Sequence, residues 1–430
     1  SSSHIWRDMS AKSSPAEAVL AGLSDIRGWQ EDLYRDIHQH PELSHQEYRT
    51  ANLVVERLQA AGYDVQDGIG GTGAVGVLRN GDGPAVLMRA DMDALPEREA
   101  TGLPYASEVG ATDATGTEVP VAHACGHDVH VTCLLGAATL LAGATQHWRG
   151  TAIALFQPAE ELGDGARGMV DDGLAEALPA VDVALAQHVL PAPAGLVGTH
   201  RGRVLSAADS MRITVHGRGT HGSMPQNGVD PVVLAVMIVL RLQTIVSREV
   251  TPCNTVVLTV GSIRAGTKSN IISDKAVLEV NLRTDDDAVR TAVLDAIRRI
   301  VIAECQASDT PRGPEFELYD SFPLTVNDDD TTDRVSRAFA EHFGERFMTM
   351  PAQSASEDFS DIPNALNVPY TYWGIGGIDE QQYRKASDTE RIAKDIPANH
   401  SPAFAPVIQP TLDTGTQALV VAALAWLNPQ

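Results

Sequence analysis

Three short apolar runs constrain this chain more than any other feature, because each ends on residues that do not belong in a core. PAVLMRA runs into Asp91-Met92-Asp93, TAIALFQ stops just before Glu160-Glu161, and VDVALAQ ends at His188. An apolar run this short, without polar alternation, is a strand buried on both faces. Between the first two runs lies a helical stretch, residues 128–141, with Asp128 placed as its N-cap. Buried strands alternating with helices predict an α/β domain with a largely parallel sheet. Ligands bind such sheets beyond the carboxyl ends of the strands. The acids and the histidine fall there.

The rest of the chain divides around this pattern. Residues 16–61 read as two helices, the second with apolar positions at Leu53, Val54, Leu58 and Ala61 and with Gly62 as its cap. GIGGTGAVGVL (residues 68–78) leads into a strand and lacks the Lys-Ser/Thr of a phosphate loop, so it reads as a hairpin turn. After residue 205 the periodicity changes. Strands are expected at 211–217, 255–263, 276–283 and 315–319, with helices at 230–246 and 286–305. That βαββαβ order is the order of a ferredoxin-like sandwich. From Phe322 helix and strand alternate as before. The expected division is a first segment 15–205, an inserted domain 206–317 and a resuming segment 318–430. Insertion is tolerated because surface termini often lie close together.

Composition narrows the function. Across 430 residues, 32 basic side chains face 56 acidic ones, a net charge of −24. That excess argues against nucleic acid, whose binding needs Lys and Arg to displace counterions, and against an anionic membrane surface. The longest apolar stretches, one ending at Leu240 and one at 418–427, fall short of the roughly 20 residues of a membrane span. The opening SSSHIWRDMSAKSS lacks the apolar core of a secretory signal and reads as an appended or frayed end. Cys125, Cys133, Cys253 and Cys305 are too few and too scattered for a disulfide framework, so a reducing cytoplasm is expected.

The densest chemistry is HACGHDVH, residues 123–130, with three histidines, a cysteine and an aspartate on a loop entering a helix. Cys125 and His127 offer a thiolate and an imidazole suited to zinc, manganese or cobalt. His130 falls inside the helix and is expected to support or pack. Glu160 and Glu161 are adjacent, and on an extended segment neighbouring side chains point apart. One then binds metal while the other faces substrate as a base. His188 and His400 each stand in a polar loop or strand end. An isolated acidic pair is usually a solvated turn and a lone histidine usually a packed one. Together, though, one Cys, three His and one Glu suffice for two metal ions sharing a ligand, the arrangement of two-metal hydrolases. In the inserted domain, HGRGTHGSMP with His216 and His221, then Asn270 and Arg283, lacks metal-ligand spacing and suits an oxyanion or a substrate carboxylate.

HQHPELS, RADMDALP, HACGHDVH, FQPAEE, QHV, GRGTHGSMP, SNIISD, SEDF and NHSPAF occur in this order across nearly the whole chain. With these motifs it resembles the amidohydrolase branch of the dinuclear metallopeptidases, which holds hippurate hydrolases, plant auxin-conjugate hydrolases and bacterial aminoacylases. MVDDGLAE, LQTIVSREV and RIVIAECQA look most like actinobacterial aminoacylases that split N-acyl-glutamine. The resemblance implies two divalent ions per subunit, zinc first, with manganese, cobalt and nickel open. It implies Cys125 as bridging ligand where related carboxypeptidases have an aspartate. Glu161 and His400 would complete one metal, His127 and His188 the other. Glu160 would be the general base and Asp93 a support of the site. His221, Asn270 and Arg283 would bind the oxyanion or the substrate carboxylate, with His221 reaching a partner's site. The inserted domain would be a lid through which a homodimer forms. The substrate would be a small N-acyl amino acid, with no nucleic-acid or membrane partner. Ile272-Ser273-Asp274 lacks the family's usual proline, and SASEDF replaces a glycine-containing version. Both bear on substrate fit. The rival readings are a carboxypeptidase or dipeptidase with the same site, a cysteine hydrolase using Cys125 with His127 or His130, and a non-catalytic ligand binder.

Overall fold

The computed structural model describes residues 13–428, so most of the Ser-rich opening lies outside the described residues. In chain order, β1 (Asp64–Ile69), β2 (Gly73–Asn80), β3 (Ala85–Asp91), β4 (Gly150–Gln157), β5 (Val183–Pro193) and β6 (Val197–Thr199) begin a large sheet. β7 (Ala207–His216), β8 (Val256–Ala265), β9 (Lys275–Thr284) and β10 (Glu315–Phe322) form a second one. β11 (Phe347–Thr349) and β12 (Tyr370–Ile378) return to the first, which has eight strands in the order β1-β2-β4-β3-β5-β12-β6-β11.

The fold is mixed α/β, and parallel pairing dominates where the apolar runs predict it. β4, β3, β5 and β12 run parallel to one another, and every residue of β3 and β12 is buried. The flanks are antiparallel, as the hairpin reading of residues 68–78 requires for β1 and β2. β1 and β2 are antiparallel to each other, β2 is antiparallel to β4, and β6 is antiparallel to β12. The physical reason at β1–β2 is the short glycine link, which permits only a hairpin; parallel strands need a long crossover. Gly70 and Gly71 make that turn at φ +68° and +104°.

Helices α1 (Leu23–Gln39), α2 (Tyr48–Ala60), α3 (His127–Ala142) and the C-terminal helix Ile408–Leu427 cover the large sheet. A further short helix, Pro15–Leu20, precedes them, so the described residues up to 61 hold three helices and not two. The start of α3 also differs from expectation. Its N-cap is Gly126 at φ +76°, and Asp128 lies in the first turn, bonded to His38 Nδ1 at 2.7 Å. A Cβ at Gly126 would stand 2.2 Å from Val189 Cγ1, so the loop enters the helix on glycine. Nearly all of α3 is buried, because it is wedged between the sheet, α1 and the C-terminal helix.

The second sheet has the order β8-β9-β7-β10, antiparallel throughout. Helices α4 (Pro231–Thr244) and α5 (Asp287–Ala307) pack on one face through a separate core that includes Ile213, Leu278, Leu234, Ile238 and Ile297. Strand alternation puts Ala208 and Ser210 of β7 and Asn281 and Arg283 of β9 on the opposite face. The helical stretch Pro231–Glu249 has the length and apolarity of a membrane span. One side of it, with Leu234, Ala235, Ile238 and Leu242, is nevertheless buried on its own sheet.

At the centre of α3, a Cβ on Gly136 would lie 2.0 Å from Gln30 Nε2, the amide that donates to Thr132 O and Thr416 Oγ1. Overpacking of this kind costs about 1–3 kcal/mol. Gly136→Ala is expected to lower stability by that amount in a denaturant melt, with the transition midpoint falling and its slope unchanged.

Candidate metal centre

β4, β3 and β5 are parallel neighbours, so their carboxyl ends lie side by side. β3 ends at Asp91 and leads to Asp93, while His188 stands within β5. The chain leaving β4 turns at Ala159, a non-glycine residue at φ +48°, into the single 3-10 turn Glu160–Leu162. This corrects the extended geometry expected for the glutamates. The turn closes because Gly163 is also left-handed and donates its N–H to Glu160 O at 2.9 Å. The two carboxylates therefore fan across one region and do not point apart. Glu160 Oε1 and Glu161 Oε1 stand 3.4 and 3.6 Å from His127 Nε2. Glu161 alone also reaches His400, at 3.2 Å.

Left-handed backbone at a residue with a Cβ costs about 1–3 kcal/mol and persists only where contacts hold it. Ala159 N–H donates to Glu47 Oε2 at 2.7 Å, and Glu47 Oε1 accepts from Thr72 at 3.0 Å. Burial, then the nearby charge of Asp93, pushes the Glu47 carboxyl up to about 8. His400, at φ +75°, is held by its N–H on Ala124 O at 2.7 Å.

Cys125, Glu161 and His400 can place one donor atom each within 4.8 Å of one another. So can Asp91, His127, His130 and His188. The sets meet where Cys125 Sγ lies 3.6 Å from His188 Nε2. His127 Nε2 and Glu161 Oε1 are buried without hydrogen-bond partners. Two facing orphan donors among soft and borderline ligands fit a divalent cation. The electrostatics agree. Burial pushes the Cys125 thiol up, and the Glu161 carboxylate adds to the effect. Burial also holds the Glu160 carboxyl well above its ordinary range, reinforced by Glu357 and Glu161. Positive charge in the gap would reverse both, since a cation deprotonates a coordinating thiol and favours neighbouring carboxylates.

Around the donors stands a hydrogen-bonded layer. Asp93 Oδ1 lies 3.1 Å from His127 Nδ1, and its Oδ2 accepts from Ser44 at 2.7 Å and from Glu161 N–H at 3.0 Å. His130 Nδ1 pairs with Asp91 at 2.6 Å while its Nε2 accepts Val189 N–H at 2.9 Å, so both its nitrogens are committed. Arg89 is fully buried and donates to Gln157, Asp91, Glu357 and Asp358. His123 is buried with neither ring nitrogen bonded. Arg89, Glu47, Glu357 and Tyr372, whose hydroxyl donates to Glu357, are site residues that sequence reasoning did not single out, and Asp91 was placed at the strand end without a role. Only RADMDALP and SEDF hinted at any of them, and a buried arginine looks like a surface one until its partners are known.

The donors open into a cavity of about 450 Å³, whose far wall includes Ser210, Asn281 and Arg283 of the second sheet. Arg283 donates to Ser354 O at 3.2 Å and Ser356 Oγ at 3.0 Å and has no carboxylate partner among the described residues. His221 and Asn270 are not brought here. They are exposed, His221 on a separate two-stranded ribbon where it registers with Ile271 and Asn270 in the turn just before Ile271. Within one chain the two do not meet the other site residues, and the expected place of His221 is a partner's site.

A profile described as peptidase family M20/M25/M40 matches residues 87–399. The hippurate hydrolase of Campylobacter jejuni is 39% identical over 361 residues, covering 82% of this chain and 90% of its own. Thermostable carboxypeptidase 1 of Saccharolobus solfataricus is 35% identical over 371 residues, covering 85% of this chain and 90% of its own. Among solved structures, a dinuclear metal binding peptidase from the M20 family of Bacillus subtilis matches with a TM-score of 0.73 at 28% identity, over 93% of this chain and 98% of that one.

Asp93 joins the imidazole of His127 to the backbone of Glu161. Removing such a support typically costs 10–100-fold in metal affinity, so Asp93→Ala is expected to lose metal at about 10–100-fold lower chelator concentration. Chelator titration followed by metal analysis measures this.

Proposed function

The chain belongs to peptidase family M20/M25/M40, and from that membership we propose that it is a metal-dependent amidohydrolase releasing a carboxylic acid and an amino acid from N-acyl amino acids. One observation carries the reading. A Cys, Glu and His donor set, anchored on the buried Cys125 and reaching the surface at His400, opens beside Glu160 into a cavity whose far wall holds an arginine without a carboxylate partner among the described residues.

In this proposal Cys125, Glu161, His400, His127 and His188 would hold two divalent ions, Cys125 as the ligand common to both, Glu161 and His400 serving one and His127 and His188 the other. When bound, the ions supply Lewis acidity and lower the pKa of water. Zinc is the first expectation, with manganese, cobalt and nickel as alternatives. Glu160, beside the donors but not needed among them, takes the proton of the attacking water and hands it to the departing amine. Arg283 holds the substrate carboxylate, paired bidentately as guanidinium favours. A bridging thiolate survives only where thiols stay reduced, which supports a cytoplasmic setting.

The second sheet, with its element order and its 207–322 extent, is proposed as a ferredoxin-like lid inserted between the two halves of the catalytic domain. Val232, Val233, Val236, Met237 and Leu240 make an exposed apolar stripe on α4, which supports homodimerisation through this lid. His221 and Asn270 then act on the partner's cavity. A thiolate shared between ions would be unavailable as a nucleophile, so thiol alkylation of the metal-loaded protein separates this reading from a cysteine hydrolase. The carboxypeptidase reading, which the name of the Saccharolobus relative suggests, uses the same machinery with a different acyl side and is less favoured than the amidohydrolase reading.

Amino-acid release from a panel of N-acyl amino acids and dipeptides, with and without chelator, tests the proposal. Release that chelator stops and a divalent ion restores is expected; no release from a metal-loaded sample would refute it. Glu160→Gln should lower kcat by about 10²–10⁴-fold with metal content unchanged; loss of metal would mean the two glutamates are exchanged. Cys125→Ala should lose at least one ion, and full activity in that variant would remove it from the bridge. Mixing inactive His221→Ala and Glu160→Gln proteins should restore part of the activity after subunit exchange, and no recovery would count against a shared site.

A further inference from the structure

The cavity has two unlike faces. On the large sheet, Leu190 lies two residues beyond His188 on the same face of β5, about 7 Å further along. Gly374 of β12 is registered beside His188, and Gly198 of β6 is registered with Gly374. Two glycines side by side leave a trough, and the Met350 side chain fills it. A Cβ at Gly374 would meet Leu190 Cδ1 at 2.5 Å and Met350 Sδ at 3.0 Å, and one at Gly198 would meet Met350 Cβ at 2.9 Å. The surface beside His188 is thus aliphatic carbon and thioether, with its backbone already paired by strand bonds and by Met350 N–H on Thr199 O at 2.8 Å. The opposite face, on the second sheet, carries the polar groups Ser210, Asn281, Arg283 and Asp320, with Ala208 and Phe322 beside them.

We propose that Leu190 and Met350, seated on Gly374 and Gly198, form the acyl subsite, that they select apolar acyl groups larger than acetyl, and that Met350 sets the length limit. This rests on the amidohydrolase reading and deepens it. A substrate spanning the two faces puts its charged end on the arginine side and its apolar end on the thioether. A peptide's free ammonium would instead be desolvated against the wall without an acceptor there, a substantial penalty. An unbranched thioether adapts to differing acyl shapes better than a branched side chain would.

The test is a series of N-acyl derivatives of one amino acid, acetyl to dodecanoyl, on the metal-loaded enzyme. In the wild type kcat/KM is expected to rise about fourfold per methylene, the value of one buried CH₂, until the wall is reached. Met350→Ala should move that limit to longer chains and raise the ratio of kcat/KM for decanoyl over hexanoyl on the order of tenfold. Leu190→Ala should shift the ratio in the same direction. A flat wild-type series overturns the proposal with no variant needed. A ratio that moves less than about twofold in both variants, each shown folded by its melt, assigns the subsite elsewhere. Calorimetric titration with acetate, hexanoate and decanoate reads the wall without turnover. Tightening with chain length supports the subsite even if no amide is cleaved, a result that would sink the hydrolase reading alone. Equal weak binding of all three overturns the subsite while leaving hydrolysis standing.

Discussion

The carboxylate of Asp93 is the contact on which the rest of this centre depends. It reaches the ring of His127, the hydroxyl of Ser44 and the backbone of Glu161, and so ties the end of β3 to the loop before α3 and to the turn after β4. Three segments distant in sequence are held in one geometry by one buried group. Such a group is costly unless every lone pair is used, and here the partners use both oxygens.

Around it the interior carries an acidic excess. Asp91, Asp93, Glu160, Glu357 and Asp358 are all buried, and Arg89 is the one buried guanidinium among the described residues. Arg89 answers Asp91, Glu357 and Asp358 directly and leaves Glu160 and Glu161 facing the open donors. The proposed ions would supply the missing positive charge. The same imbalance gives the glutamates different work, since Glu161 is shared between His127 and His400 while Glu160 is not. Two left-handed residues, Ala159 and His400, hold this rim at a conformational cost, and Glu47 and Ala124 supply the bonds that sustain it.

Much of this was legible in the chain. Apolar runs ending in acids marked the central strands, because a strand buried on both faces reads as a nearly continuous apolar run. HACGHDVH marked the donor loop, because soft ligands at close spacing have few structural uses. The errors were local and physical. Asp128 has the chemistry of an N-cap, but Val189 leaves no room for a side chain at the loop's turn, so Gly126 takes that place. Glu160 and Glu161 look extended after a strand, yet a left-handed alanine bonded to a remote glutamate turns them. His221 and Asn270 are a different case, since they stand exposed, away from the cavity of their own chain, and their proposed role is on a partner's site.

By itself the sequence determined which residues can carry the chemistry and which strands deliver them, since apolar periodicity and donor type are properties of the chain. Only the tertiary structure decided their partners. Burial of Arg89, the commitment of both His130 nitrogens, and the Gly374–Gly198 trough under Met350 all arise from strands brought together across long loops. Spacing along a chain carries the period of a strand or a helix, but it does not encode which distant backbone will stand a few ångströms away.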